Sequence, residues 1–232
     1  MKKPFVFLIL FIGLPALAAE LTMMDLTIPQ FDVAGRMIRR LKADSATGSF
    51  EEPKLRDGVV EFFRPQDANP ERLATLDFAE AIYHRLAGVI DGDNHIRVIS
   101  PKGNLSGDGF QYQLTLGKLI LRSTVVIELP TAHITGEKAE ALISQSAADQ
   151  DFTISQATVT GGVVVTGIKS EKFNFDRAET ASAVYTASDG KLRLASPVVC
   201  WRASEKIVAG ATEITIDVGN RPKQALGAND RL

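Results

Sequence analysis

The sequence predicts an all-β protein, an elongated stack of β-jelly-roll or β-solenoid units with one continuous interior. Apolar and polar residues alternate along many short segments, which is typical of strands with one buried face. The clearest examples are residues 96–100, 110–116, 173–176, 192–194 and 214–218. β-Branched residues dominate two further segments, 123–129 and 162–166, as expected of strands.

Between these segments, glycine stands next to aspartate or to a second glycine in the sequence. Such dipeptides predict turns. The predicted turns lie at residues 57–58, 91–92, 107–109, 161–162 and 189–190. Two stretches could be helical instead: residues 70–87 mix apolar and charged residues, and residues 133–148 are rich in alanine. Residues 70–87 have no clean period, and we interpret both stretches in the same way. We therefore expect strands joined by irregular turns in both stretches.

A repeat supports the stacked architecture. Ala81-Ile82-Tyr83 precedes an alternating strand that ends in Ser100-Pro101, and Ala183-Val184-Tyr185 precedes one that ends in Ser196-Pro197. A strand–turn–strand unit of this size cannot bury its own apolar face, so such units have to stack on their neighbours.

The composition excludes several classes of function. The chain has 232 residues and a net charge of −2, which excludes a whole-protein basic field for nucleic acid. Cys200 is the only cysteine, and His84, His95 and His133 lie far apart without a metal-ligand spacing. Catalytic motifs such as G-x-S-x-G and H-E-x-x-H do not occur. The sequence therefore predicts no enzyme, no metal and no cofactor.

The N-terminus predicts export. Lys2 and Lys3 precede the apolar run 5–14, and Ala16-Leu17-Ala18 supplies a cleavage motif, so residues 1–18 are predicted to be a signal peptide. We expect a periplasmic protein, the alternative being an uncleaved inner-membrane anchor that faces the periplasm. At the other end, residues 219–232 are predicted to be a polar tail.

Several motifs together resemble a known family. Residues 172–217 contain Phe173-Asn174-Phe175-Asp176, Ala183-Val184-Tyr185 and Pro197-Val198-Val199. Residues 158–165 and 32–62 match further motifs of the same family. The chain resembles the OstA-like family of lipopolysaccharide export proteins, which includes the periplasmic LptA and LptC types. The resemblance implies LptC-like repeats in residues 19–130 and OstA/LptA-like repeats in residues 131–218.

The resemblance implies an open apolar groove that binds lipopolysaccharide or a related glycolipid, in a transport bridge across the periplasm. It leaves open whether the role is LptA-like or LptC-like. The implied partners are the lipid and other periplasmic or membrane components of the bridge, joined by pairing of edge strands, with self-association as a further possibility. The alternative is a structural β-solenoid of the cell envelope that carries no lipid.

By alternation, one set of residues is assigned to the inner face, where acyl chains of a lipid would lie. The alternative is a closed core of the same residues that binds nothing. The assigned residues are Phe78, Tyr83, Ile96, Val98, Phe110, Tyr112, Val125, Ile127, Phe152, Ile154, Val163, Val165, Phe173, Phe175, Tyr185, Leu192, Leu194, Ile214 and Ile216.

Charged residues and the chain ends suggest two further features. Arg36, Arg39, Arg40 and Lys42 form a basic cluster in sequence, either a contact for lipid phosphates or a solvated strand face. Pro29 limits pairing of the first predicted strand, 26–29, whereas the last one, 213–218, is free of proline. We therefore expect the C-terminal edge to add strands from a partner or a second copy.

Overall fold

The all-β prediction is confirmed by a computed structural model that describes residues 21–65, 70–145, 152–167, 175–203, 205–209 and 213–218. These residues form fifteen strands in one antiparallel sheet, and none of them is helical. The predicted signal peptide and the polar tail lie outside the described residues. The strands are β1 (Leu21–Phe31), β2 (Met37–Gly48), β3 (Pro53–Phe63), β4 (Arg72–His84), β5 (Val89–Ser100), β6 (Gly103–Gln113), β7 (Lys118–Leu129), β8 (Ala132–Gly136), β9 (Lys138–Gln145), β10 (Phe152–Thr166), β11 (Arg177–Thr186), β12 (Lys191–Leu194), β13 (Val198–Arg202), β14 (Glu205–Ala209) and β15 (Ile214–Asp217).

Most strands pair with the strand that follows them in sequence. The order runs from β1 to β8 and continues through β10, β11, β12 and β15. β9 lies between β7 and β10, and β13 lies between β11 and β14. Pairing continues across residue 130, because β7 pairs with both β8 and β9. The division at residue 130 therefore stays a prediction about the type of repeat.

The long strands bend near their middle, and the bends divide the sheet into two arms. The register shifts between Phe78 and Ile82 in β4 and between Gly92 and His95 in β5. Left-handed backbone conformations occur in the middle of β3 at Asp57 and of β7 at Thr124. Bulges of this kind kink a strand and increase its twist.

Each arm is defined by the strand segments that pair within it. Arm 1 consists of residues 21–24, 45–48, 53–56, 80–84, 89–92, 110–113, 118–121, 138–142, 152–160, 182–186, 191–194 and 214–217. Arm 2 consists of residues 26–31, 37–43, 58–63, 72–78, 95–100, 103–108, 125–129, 132–136, 163–166, 177–180, 198–202 and 205–209.

The two arms face each other, with the apolar core between them. Phe62 of β3 meets Tyr112 of β6 edge to face, with ring centroids 6.2 Å apart. In a flat sheet these strands would be about 14 Å apart, because neighbouring strands are spaced by about 4.8 Å. Farther along the sheet, Thr131 donates its hydroxyl to the Val218 carbonyl at 2.9 Å. The sheet is therefore folded on itself along the bends.

Four of the five predicted turns were wrong, because their glycines lie inside strands at or near the bends. Gly58, Gly92, Gly107 and Gly161 belong to β3, β5, β6 and β10, and only residues 189–190 form a turn between strands. At Gly92 a side chain would not fit, since an added Cβ would lie 2.8 Å from the Glu80 carbonyl oxygen and 2.6 Å from the Phe110 ring.

The repeat is matched only in part. Tyr83 and Tyr185 both lie in arm 1, near the end of a strand that precedes a turn. The two Ser-Pro pairs are not equivalent. Ser100-Pro101 joins β5 to β6 at the far end of arm 2, whereas Ser196-Pro197 joins β12 in arm 1 to β13 in arm 2.

Replacing Gly92 by alanine tests the close approach at this bend. We expect Gly92→Ala to lower the free energy of unfolding by about 1–3 kcal/mol, because the new methyl group overlaps backbone and a packed ring. Urea unfolding measures the change. The exposed neighbour Asn94 supplies the control, and Asn94→Ala should stay within about 0.5 kcal/mol of the wild type. Equal stability of Gly92→Ala and wild type would contradict the packing described.

Candidate functional site

The structure buries most of the residues that alternation assigns to the inner face. They lie on both arms and belong to one continuous apolar cluster. The buried residues of the assigned set are Phe78, Tyr83, Ile96, Val98, Phe110, Tyr112, Val125, Ile127, Ile154, Val163, Val165, Phe175, Leu192, Leu194 and Ile216.

The remaining assigned residues differ from these. Tyr185 and Ile214 are half-buried and pack against the cluster. Phe152 begins β10, and Phe173 lies outside the described residues. Sequence reasoning missed other buried residues with the same period of two. They include Leu41, Leu55, Val60, Phe62, Leu76, Ile90, Leu105, Leu119, Leu121 and Ile134.

The middle of the interior is packed with side chains. Phe78 and Phe110 lie with ring centroids 5.6 Å apart, and Ile90, Ile96 and Tyr112 have no exposed surface. Packing of this density leaves few voids larger than a water molecule. In this conformation, one cavity of about 600 Å³ lies on the outer side of arm 1, against β7, β9 and β10, and a second cavity lies where the ends of the arms meet.

A cavity of about 540 Å³ opens at this place, which we call the mouth. Turns at the end of arm 1 form one wall, and the adjoining ends of β1 and β2 in arm 2 form the other. The lining mixes apolar side chains with polar ones, and two of the polar side chains are arginines. Its residues are Gln30, Phe31, Ile38, Arg39, Tyr83, Arg85, Leu86, Ala87, Gly88, Leu114 and Thr115.

The basic cluster predicted on β2 does not form one surface. Arg39 lies two residues before the buried Leu41, so both side chains lie on the inner face of β2. Arg39 donates hydrogen bonds to the Tyr112 hydroxyl, at 3.4 Å, and to the Leu114 carbonyl. Arg40 and Lys42 lie on the other face of β2 and point away from the interior. Arg36 pairs locally with Asp32, with Nη2 2.7 Å from Oδ2. Strand alternation therefore separates these cations.

Arg40 and Lys42 converge on one buried carboxylate. Glu61 has a side chain only 6% exposed, 2.7 Å from Arg40 and 3.2 Å from Lys42, with Arg72 at 3.3 Å. Burial raises the pKa of Glu61, but hydrogen bonds from Arg40 and Lys42 outweigh burial and hold the pKa below its usual value. Arg40 also lies over the Phe63 ring at 5.0 Å. This outer cluster stabilises arm 2.

Two histidines have carboxylate partners that sequence reasoning missed. His84 lies 2.9 Å from Glu52, and His95 lies 2.7 Å from Asp108, its partner in the register of β5 and β6. The hydrogen bond from His95 holds the pKa of Asp108 below its usual value. Both pairs are largely exposed, and neither lies in the mouth.

Two further aspartates are held by a neighbouring arginine. Asp91 and Asp93, on either side of Gly92, both accept hydrogen bonds from Arg122, at 2.6 and 2.9 Å. Across the ranges that the structure describes, no group of three or more metal-ligating side chains is positioned to hold an ion. Within the same residues there is no helical segment with the length and hydropathy of a membrane-spanning helix.

A scan of the sequence against models of known protein families finds no match, and a search of curated proteins finds no significantly similar sequence. The resemblance to OstA-like proteins is therefore carried by the short motifs alone.

Neutralising Glu61 tests the outer cluster. We expect Glu61→Gln to lower the free energy of unfolding at pH 7 by about 1–2 kcal/mol, because three cations lose their shared anion. A carboxylate with a lowered native pKa stabilises the fold above its unfolded pKa, about 4.3, and loses this effect as the pH falls. The gap between variant and wild type should therefore shrink below about pH 4.

Urea unfolding at pH 7 and pH 3.5 measures this dependence. Glu128→Gln serves as the control, because Glu128 is exposed and accepts one hydrogen bond, from Asn104. A gap of the same size at both pH values, or no gap at pH 7, would contradict the role assigned to Glu61.

Proposed function

We propose that the protein binds lipopolysaccharide or a related glycolipid in the periplasm and takes part in a transport bridge. The observation that carries the proposal is a continuous apolar interior that reaches a partly apolar cavity at the mouth. The folded sheet is compatible with the jelly-roll architecture that the OstA-like motifs imply. Acyl chains would lie between the arms, and the headgroup would stay at the mouth.

Hydrophobic burial provides enough free energy for this role. Each buried methylene contributes about 0.8 kcal/mol, so one chain of about a dozen carbons gains roughly 10 kcal/mol. This gain is comparable to the cost of extracting the chain from a bilayer. A row of similar apolar positions would let the lipid move along the interior without being trapped.

The arrangement of hydrogen bonds supports opening of the arms. Each described strand pairing joins two segments of the same arm, so separating the arms at the mouth breaks no strand pairing. Among the described contacts at the mouth, Arg39 bridges the arms through Tyr112 and Leu114. We propose that lipid enters by displacing such side-chain contacts, and that the open groove exists in the lipid-bound form.

We propose that β15 provides the edge for a partner. Among the described strands, β15 pairs only with β12. Val218 donates its N–H to the Gly190 carbonyl at 2.8 Å, on the β12 side. Because N–H groups alternate in direction along a strand, that of Ile216 also points to β12, and that of Thr215 points to the open edge. A strand from another component, or from a second copy, would pair there.

Photo-crosslinking at two matched leucines tests lipid binding. Leu86 lies in the mouth, and Leu142 lies on the outer face of arm 1, and both are exposed. A photo-reactive residue at Leu86 should capture lipid in cell envelopes, and one at Leu142 should not. Mass spectrometry of the adducts identifies the lipid. Equal labelling, or no lipid at Leu86, would contradict the proposal and favour a structural envelope protein.

Replacing Thr215 by proline tests the edge. The substitution removes an N–H that points away from β12, so we expect it to weaken association while the rest of the sheet stays folded. Light scattering over a range of concentrations compares the variant with the wild type and with Thr215→Val, which keeps the N–H. A wild type that stays monomeric at high concentration, and binds no partner sensitive to the change, would refute edge pairing.

A further inference from the structure

Arg39 holds a positive charge at the mouth without a matching carboxylate. Its guanidinium donates to the Tyr112 hydroxyl and to the Leu114 carbonyl, both neutral acceptors. No carboxylate of the described residues forms an ion pair with Arg39, and no described residue that lines the mouth is acidic. A half-buried charge without a counter-charge is costly, and an anionic ligand would compensate for it.

A second arginine, Arg85, is among the residues that line the same cavity. Arg85 lies in the turn between β4 and β5, and its side chain rests on the Phe50 ring, 3.7 Å from the centroid. No carboxylate within the described ranges forms an ion pair with it. Phe31 and Leu86 provide apolar walls beside these cations. The mouth therefore combines two arginine side chains with a surface for the first methylenes of an acyl chain.

The outer cluster around Glu61 differs from the mouth, because its cations have a carboxylate partner. Arg40, Lys42 and Arg72 share a carboxylate there, and none of the three lines the mouth. Arg39 is adjacent to Arg40 in sequence, yet it faces the mouth and lacks such a partner.

We propose that the mouth binds the phosphate group of an amphipathic lipid, with Arg39 and Arg85 as its ligands. This inference rests on the proposed function as a lipid-binding protein. Guanidinium groups present several donors in a planar fork and bind phosphate oxygens in pairs, which a single cation such as lysine cannot do. The cavity of about 540 Å³ lies within the usual range for small-molecule sites.

Calorimetric titration with short-chain lipids tests the assignment. Dihexanoyl phosphatidic acid and dihexanoyl phosphatidylcholine have the same acyl chains, but only the first exposes a phosphate monoester. We expect the wild-type protein to bind phosphatidic acid at least about tenfold more tightly, with a preference that falls at high salt. Arg39→Gln and Arg85→Gln should each remove most of this preference and leave phosphatidylcholine binding unchanged.

Two further variants and one further probe serve as controls. Arg39→Lys keeps the charge and should retain part of the preference. Arg97→Gln changes an exposed arginine on the outer face of arm 2 and should have no effect. If Arg39→Gln fails to fold, Arg85→Gln carries the test. Inorganic phosphate alone should bind much more weakly than phosphatidic acid.

The outcomes separate this inference from the proposed function. Equal binding of the two lipids, or a preference that both variants retain, would overturn the phosphate assignment and leave lipid binding in place. No binding of either lipid would overturn both. Inorganic phosphate bound as tightly as phosphatidic acid would indicate a site for free phosphate and overturn the assignment to a lipid.

Discussion

The structure depends on the need to bury one apolar face of a long antiparallel sheet without a second layer. Backbone hydrogen bonds are satisfied along each arm, so they do not decide what covers the face. The sheet covers itself, because its long strands bend and bring arm 2 over arm 1. Contacts between distant strands, such as Phe62 with Tyr112, exist only because of this fold.

The bends have a local physical cause, because they contain glycines, which are uncommon inside strands. Gly92 lets the Glu80 carbonyl and the Phe110 ring approach the β5 backbone, and Gly58 leaves room for the Phe78 ring. Glycine inside a strand commonly marks a bulge or a close approach of this kind. The same residues provide the shape of the interior, so the lipid-binding proposal and the stability of the fold rest on one feature.

Strand alternation then divides the charges of β2 between two roles. Arg40 and Lys42 turn outward, where Glu61 neutralises part of their charge. Arg39 turns inward to the mouth, where neutral oxygens hold it in place. A single period of two therefore produces a structural cluster on one face of arm 2 and a candidate ligand contact on the other.

The sequence by itself determined the strand content and most of the inner face, because a period of two reports directly which side of a strand is buried. Ile96, Phe110 and Val163 were identified in this way. Tertiary structure alone decided the bends, because Asp-Gly and Gly-Gly dipeptides occur both in hairpin turns and in bulges within strands. The sequence therefore does not distinguish the two. Tertiary structure also decided the pairing of His95 with Asp108 and the neighbours of Arg39. These contacts join strands through register and folding of the sheet, and alternation within one strand carries no information about which other strand it will face.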